Sequence, residues 1–254
     1  PKELLEIIVV DNGSTDKTVD IAKKYADIII EKCEGHVGAV RNNGARRANG
    51  EILAFTDADC ILDADWVETG VKLLLEQPHF AFGGGLKPRE NSTWVERFWL
   101  LNDNGESIQQ SALMGSCIFL WKNHFDRLGG FDESISSGED SDLSRRLEAN
   151  GITVRMTSNL TVTHLGNPDA LMDFIARQIW HSENYFIKLR QSIKDKVFWL
   201  TMYYMLSISI SSIFIAFNPN LFGLLLLSQL APITLSIKRV RRAKYKIRGP
   251  ISAL

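Results

Sequence analysis

Asp57-Ala58-Asp59 sets two carboxylates two positions apart, directly after the apolar run Ile52-Leu53-Ala54-Phe55-Thr56. Hard divalent cations such as Mg2+ and Mn2+ take one or two carboxylates together with phosphate oxygens and water, so such a pair can hold a cation that also touches a phosphorylated substrate. Alternate residues of an extended segment face opposite ways, and a short turn is needed to aim both carboxylates at one ligand. Acids after a strand also cap the following helix, the role expected of Asp63 and Asp65. An EF-hand beginning at Asp57 fails, because its sixth position is Leu62 where glycine is required. A second acidic group, Gly138-Glu139-Asp140-Ser141-Asp142, opens the helical pattern Leu143-Ser144-Arg145-Arg146-Leu147. Acids at a helix N-terminus stabilise its dipole by a few tenths to about 1 kcal/mol. Three acids in four positions exceed what capping needs, and a carboxylate there can serve as a general base. On this segment alone, capping and catalysis both stay open.

The elements that must position these groups follow from the apolar pattern. Ile7-Ile8-Val9-Val10 ends in Asp11 and a turn, Asn12-Gly13-Ser14, and predicts a strand buried on both faces. A helix through Val19 to Ala26, a strand at Ile28-Ile29-Ile30, a helix from Gly35 to Asn49 and a strand at Ile52–Thr56 come next. Alternation of this kind predicts an α/β layer fold, which places ligands at the carboxyl ends of its strands. Further along, Trp66–Glu76 predicts a helix, and Phe80–Gly83 and Cys117–Trp121 predict strands. Asn123–Leu128 and Asp140–Ala149 predict helices, and two short strands are expected around Val154 and Val162. Gly84 to Ala112 reads as a variable, partly helical lobe.

The net charge of −1 conceals an asymmetry. All 30 acidic residues and 22 of the 29 basic ones lie in residues 1–196, a net of −8, and the remaining tail carries +7. From Leu171 to Leu189 the apolar spacing predicts an amphipathic helix suited to a membrane surface. Phe198 to Phe217 is uncharged over 20 residues, about 30 Å as a helix, and matches a bilayer's hydrocarbon core. A second uncharged run, Leu221 to Ile237, follows Asn218-Pro219-Asn220. Lys188, Arg190, Lys194 and Lys196 precede this pair, and Lys238 to Arg248 follow it with seven basic residues. A membrane hairpin with both flanks cytosolic is therefore expected in preference to a buried hairpin. Cys33, Cys60 and Cys117 are three, without C-x-x-C spacing; neither a disulfide framework nor a zinc knuckle is indicated, and a reducing compartment fits.

Glu6-Ile7-Ile8-Val9-Val10-Asp11-Asn12-Gly13-Ser14-Thr15-Asp16 resembles the second-strand motif of the family 2 glycosyltransferases, which have the GT-A fold. Gly38-Ala39-Val40-Arg41-Asn42-Asn43-Gly44-Ala45 resembles that family's donor-proximal helix, and Phe55-Thr56-Asp57-Ala58-Asp59-Cys60 its D-x-D strand end. Gly129-Gly130-Phe131-Asp132-Glu133, followed by Gly138-Glu139-Asp140 and Asp142-Leu143, resembles its acceptor-side motif. The blocks stand in the family's order over residues 6–165. The resemblance implies that Asp11 accepts hydrogen bonds from the nucleotide base and that Arg41 contacts the base or the diphosphate. It implies that Asp57 holds the ribose or a water, that Asp59 binds Mg2+ or Mn2+, and that Asp140 is the general base of an inverting transfer. His164, ending Leu160-Thr161-Val162-Thr163, would be a third metal ligand, as in some members, although a lone histidine after a strand is also a structural residue.

Two departures qualify the resemblance. Family chains open with a strand of the type V-S-V-I-I-P-x-Y-N, and none precedes Glu6, so a first strand between those ending at Asp11 and Asp57 is expected to be missing. The Q-x-x-R-W segment of processive synthases is replaced by Gln178-Ile179-Trp180-His181-Ser182, which favours addition of a single sugar. The expected organisation is a GT-A catalytic domain over residues 1–167, an interfacial helix over 168–196, and two transmembrane helices with a basic tail over 197–254. The expected partners are a nucleotide-sugar donor, a glycan or polyprenyl-linked acceptor and the membrane, with the catalytic domain cytosolic and no nucleic acid bound. The rival readings are a metal-dependent nucleotidyl- or phosphotransferase, which would want a phosphate cradle such as G-x-x-x-x-G-K-[ST] that is absent, and a catalytically silent scaffold.

Overall fold

β-Branched residues favour the pleated, buried surface of a sheet, and the first two such runs form β1 (Ile8–Val10) and β2 (Ile28–Ile30), paired in parallel with Val9 opposite Ile29. The computed structural model describes residues 4–100, 112–187, 192–194 and 196–242. Residues 101–111 of the lobe expected from Gly84 to Ala112, and the basic run after Arg242, lie outside the described residues. The crossover between β1 and β2 carries α1 (Thr18–Ala22), and α2 (Val37–Arg47) packs back on β1. Gly44 permits that approach, since a Cβ there would stand 3.0 Å from Val10 Cγ2.

A second sheet has the order β3-β6-β5-β7-β4, built from β3 (Ile52–Phe55), β4 (Cys60–Ile61), β5 (Phe80–Lys87), β6 (Ile118–Trp121) and β7 (Thr153–His164). β5 and β7 run parallel and the other pairings are antiparallel, which makes the sheet mixed. Among the described residues β1 pairs with β2 alone and β3 with β6 alone, so the division between the two sheets falls between the strands that lead to Asp11 and Asp57.

Helices cover both faces of the larger sheet. On one, α3 (Trp66–Glu76) buries Trp66, Gly70 and Leu74 at four-residue spacing against Phe82, Phe119, Leu160 and Val162. At Gly70 a Cβ would stand 2.3 Å from the Phe119 ring. On the other, α5 (Lys122–Arg127) and α6 (Glu139–Ala149) contribute Phe125, Leu143 and Leu147 to a core with Leu53, Ala81, Ile118 and Leu120. Phe119 faces one core, and Ile118 and Leu120 the other. That period of two is why Cys117–Trp121 reads as one unbroken apolar run.

β7 differs from the two short strands expected around Val154 and Val162. It is continuous, and its register against β5 jumps from Gly84 opposite Thr157 to Leu86 opposite Val162. The polar Ser158-Asn159 that resembles a break is a bulge, closed by a bond from the Thr161 hydroxyl to the Ser158 carbonyl (2.8 Å). Short α4 (Trp94–Trp99) lies in the lobe, capped by Thr93, whose hydroxyl accepts from Glu96 N.

The chain divides into two compact units, Pro1–His181 and Ser182–Leu254. α7 (Leu171–Ile187) begins in the first unit, where it turns Leu171, Met172, Ile175 and Ile179 to solvent along one stripe, each 40–72% exposed. In the second, α8 (Lys196–Phe217) is followed by a 3-10 turn at Pro219–Leu221, α9 (Phe222–Ser228) and α10 (Leu230–Arg242). Phe198–Phe217 and Pro219–Ile237 are long and apolar enough to cross a membrane, by length and composition. The second run is broken at Gln229, where Pro232 cannot donate to the Ser228 carbonyl. The Gln229 Oε1 accepts from the Tyr204 hydroxyl of α8 at 3.0 Å.

Candidate active site

β3 ends at Phe55, and the chain turns at once: Cys60 N donates to the Asp57 carbonyl at 3.1 Å, closing a turn over Ala58-Asp59. This turn is what lets both acids of the D-x-D face one ligand. β4 then pairs with the end of β7, with Cys60 opposite His164, and Leu165 N donates to the Asp59 carbonyl at 2.8 Å. Asp57, Asp59, Cys60 and His164 each offer a ligand atom, and these atoms lie within 4.8 Å of one another. His164 Nε2 is 3.5 Å from Asp59 Oδ1. A side chain at Gly166 would close the space, because its Cβ would fall 2.0 Å from Asp59 Oδ2.

The loop that carries His164 is fixed from behind. Asn167 Nδ2 donates to the His164 carbonyl (2.8 Å) and to Glu96 (3.2 Å), and the wholly buried Glu96 is paired with Arg89 at 2.9 Å. His164 is 8% exposed, and its Nδ1 is buried without a hydrogen-bond partner. His164 Nε2 faces the Asp59 carboxylate, and a divalent cation takes carboxylate oxygen and neutral imidazole together, so these residues fit one. Cys60, which the motif reading passes over, completes the cluster. Burial, and then the charges of Asp57 and Asp59, push its thiol pKa up to about 11.

A partly buried ion triad stands beside the turn. Arg41 on α2 donates to Asp57 Oδ1 at 2.6 Å and, through Nη1, to Glu139 Oε1 in the first turn of α6. The guanidinium lies against Gly115, where a Cβ would be 2.3 Å from Nη2, and 5.7 Å from the Phe131 ring centroid. Burial and the neighbouring Asp140 hold the Glu139 carboxyl above its ordinary pKa, against the opposing pull of Arg41. Gly138 precedes it at φ 81°, a left-handed conformation that favours glycine. Asn42, one residue after Arg41, locks α2 to the Gly129–Glu133 segment: its Nδ2 donates to the Phe131 carbonyl and its Oδ1 accepts from Phe131 N, both at 2.9 Å.

The three acids that open α6 thus separate by role. Glu139 faces Arg41. Asp142 is nearly buried and pairs with Arg145 and Arg146 of its own helix. Asp140 is half-buried and accepts from Gly115 N (3.0 Å) and Ser141 N (2.7 Å), which orients its carboxylate and leaves lone pairs for a further donor. Asp57, Asp59, His164 and Arg41 converge, and Asp140 adjoins them through Glu139. Asp11 follows the end of β1. It accepts from Gly13 N (3.0 Å) and Ser14 N (3.1 Å), and bonds from Ser14 and Gly13 hold its carboxyl below its usual pKa. Glu139 and Cys60 are the members that sequence reasoning leaves unassigned. The Arg41–Glu139 contact spans 98 residues and has no local signal.

The profile described as glycosyl transferase family 2 matches residues 1–125. Glycosyltransferase AglE of Haloferax volcanii is 28% identical over 179 residues, covering 66% of this chain and 59% of its own length. Validoxylamine A glucosyltransferase of Streptomyces hygroscopicus subsp. jinggangensis is 25% identical over 245 residues, covering 78% of this chain and 56% of its own. The chain therefore spans little more than half the length of these relatives. Among solved structures, mannosyltransferase PcManGT from Pyrobaculum calidifontis, in complex with GDP-Man and Mn2+, superposes with a TM-score of 0.59 at 21% identity, over 100% of this chain and 70% of that one. That likeness carries the fold.

Proposed function

We propose that the chain, whose residues 1–125 match the profile of family 2 glycosyltransferases, is a member of that family and moves a single sugar from a nucleotide-sugar donor to a hydroxyl of a membrane-associated acceptor, a glycan or a polyprenyl-linked glycan, with inversion at the anomeric carbon. The observation that carries this reading is the meeting of Asp57, Asp59 and His164 within 4.8 Å, beside an Asp140 whose carboxylate is held by two backbone N–H groups.

In the proposed reaction the Asp140 carboxylate takes the proton of the acceptor hydroxyl as that oxygen attacks the anomeric carbon. The bond from that carbon to the diphosphate oxygen breaks, and the nucleoside diphosphate departs with the electron pair. One base and attack opposite the leaving group give inversion. Asp59 and His164 would hold Mg2+ or Mn2+, which supplies Lewis-acid stabilisation of charge on the diphosphate. Asp57 serves the ribose side of the donor. Arg41 has five N–H groups, of which two meet Asp57 and Glu139, and others are free in number for the base or diphosphate. Asp11 serves the base. The neighbour solved with GDP-Man and Mn2+ is consistent with that pairing of donor and ion.

The outward apolar stripe of α7 and the two apolar helices of the second unit support an acceptor at a membrane, with the catalytic unit on the cytosolic side. Nucleoside diphosphate release from a panel of nucleotide sugars, with Mn2+ and a lipid extract as acceptor source, tests the proposal. Release from one donor or a few is expected. Release of monophosphate or pyrophosphate instead would mean a phospho- or nucleotidyltransferase, and no release from any donor would count against transfer.

A further inference from the structure

We infer that Cys60 makes the Asp59–His164 centre a capture site for thiophilic divalent cations: Zn2+ binds through Cys60 Sγ, Asp59 and His164 and occupies the place that Mg2+ or Mn2+ would take. The inference rests on the metal-centre reading above and adds a regulatory property to it.

Cys60 and His164 are direct partners in the antiparallel pairing of β4 with β7, so both side chains project from the same face of the sheet. Together with Asp57 and Asp59 they make a mixed set of two carboxylates, one thiol and one imidazole, with ligand atoms within 4.8 Å. Mg2+ and Mn2+ are served by the oxygen donors and gain little from sulfur, whereas thiolate with imidazole is a zinc-type set, and Zn2+ also stands above Mn2+ in intrinsic affinity. His164 is itself 8% exposed and turns Nε2 toward the Asp59 carboxylate at 3.5 Å, and its Nδ1 has no hydrogen-bond partner. Cys33 Sγ accepts from the Asn43 amide at 2.8 Å and Cys117 Sγ, wholly buried, donates to the Leu160 carbonyl at 3.1 Å, whereas the Cys60 thiol bonds the Thr56 side chain and stands among the carboxylates of Asp57 and Asp59. On binding, the Cys60 S–H bond breaks, a sulfur–metal bond forms and the proton passes to the buffer; no oxidant or reductant is involved.

The experiment uses the full chain in detergent micelles. Zn2+ and Mn2+ binding are measured by calorimetry, and Cd2+ is titrated while the ultraviolet thiolate-to-metal charge-transfer band is followed. The wild type should show that band. Cys60→Ser should abolish it and lower the ratio of Zn2+ to Mn2+ affinity by at least about tenfold, the low end of what loss of even an outer-shell partner costs. Cys33→Ser should keep the band, which guards against a misfolded Cys60 variant being misread. A wild-type protein that binds Mn2+ but gives no band, a band lost in Cys33→Ser, or an unchanged ratio in Cys60→Ser would overturn the inference and leave the metal centre standing. A wild type that binds neither Mn2+ nor Zn2+ would overturn both.

Discussion

Replacing Arg41 by alanine should cost about 3–5 kcal/mol of stability at neutral pH, because it leaves Asp57 and the buried Glu139 without their shared cation. In that variant Glu139 keeps its burial and loses the cation that opposes it, so its folded pKa, already above the ordinary value, rises further. Stability held by such groups is fully present below the unfolded pKa and is lost as pH rises through the folded one. The gap between Arg41→Ala and wild type should accordingly narrow as pH falls toward about 4, read by urea unfolding at several pH values; a gap that widens on acidification would contradict the triad. Gly166→Ala presents a different case. Its Cβ would meet the carboxylate end of Asp59, a flexible group that can move aside, so the fold should survive while the Asp59–His164 geometry does not. Mn2+ affinity should fall about 10- to 100-fold with little change in melting temperature. Asp57, Asp59, Arg41, Asp140 and His164 are legible in the sequence because each sits at a strand end or on a helix with a motif around it. Glu139 and Cys60 stay unassigned there because an ion pair across 98 residues and a cross-strand neighbour are set by topology, which local spacing does not encode.

At the scale of the element, the junction of β5 and β7 is what brings His164 to the turn at Asp59, and it depends on Gly84. A Cβ there would fall 1.8 Å from the Leu160 carbonyl oxygen, a backbone atom that cannot step aside without moving the strand. Gly84→Ala should therefore destabilise by at least about 3 kcal/mol, at the upper end of overpacking costs. Gly50→Ala, whose Cβ would stand at an ordinary 3.5 Å from the Ile52 carbonyl, should change stability far less; equal effects in thermal unfolding would show that β7 does not need this close approach. Elements with an unambiguous period are legible in the sequence: Trp66–Glu76 has the bounds expected from its pattern, and β3, β6 and α6 fall within a residue of theirs. Those that are not legible share a cause. The bulge of β7 hides a strand behind Ser158-Asn159, and β4 is two residues long, too short for any alternation to register.

At the scale of the whole molecule, the chain is acidic over its first 196 residues and basic beyond them, and it divides after His181 into a unit that holds the sheets and one that holds the apolar helices. If Phe198–Phe217 and Pro219–Ile237 cross a bilayer as a hairpin, the turn at Asn218-Pro219-Asn220 lies on the far side from the catalytic unit. A cysteine introduced as Asn220→Cys should react in intact cells with an impermeant thiol reagent, and Cys33 should not; protection of both would argue for a hairpin buried in protein. The proposed chemistry depends on a division of labour at one site, with Asp59 serving the cation and donor and Asp140 serving the acceptor. The most direct measurement compares donor binding and turnover in Asp59→Asn and Asp140→Asn, each with Mn2+ and a donor that the wild type accepts. Asp59→Asn should abolish Mn2+-dependent donor binding, since an amide lacks the charge a hard cation needs. Asp140→Asn should bind donor as the wild type does and turn over about 10²–10⁴-fold more slowly. Wild-type, Mn2+-dependent donor affinity in Asp59→Asn, or loss of donor binding in Asp140→Asn, would contradict that assignment.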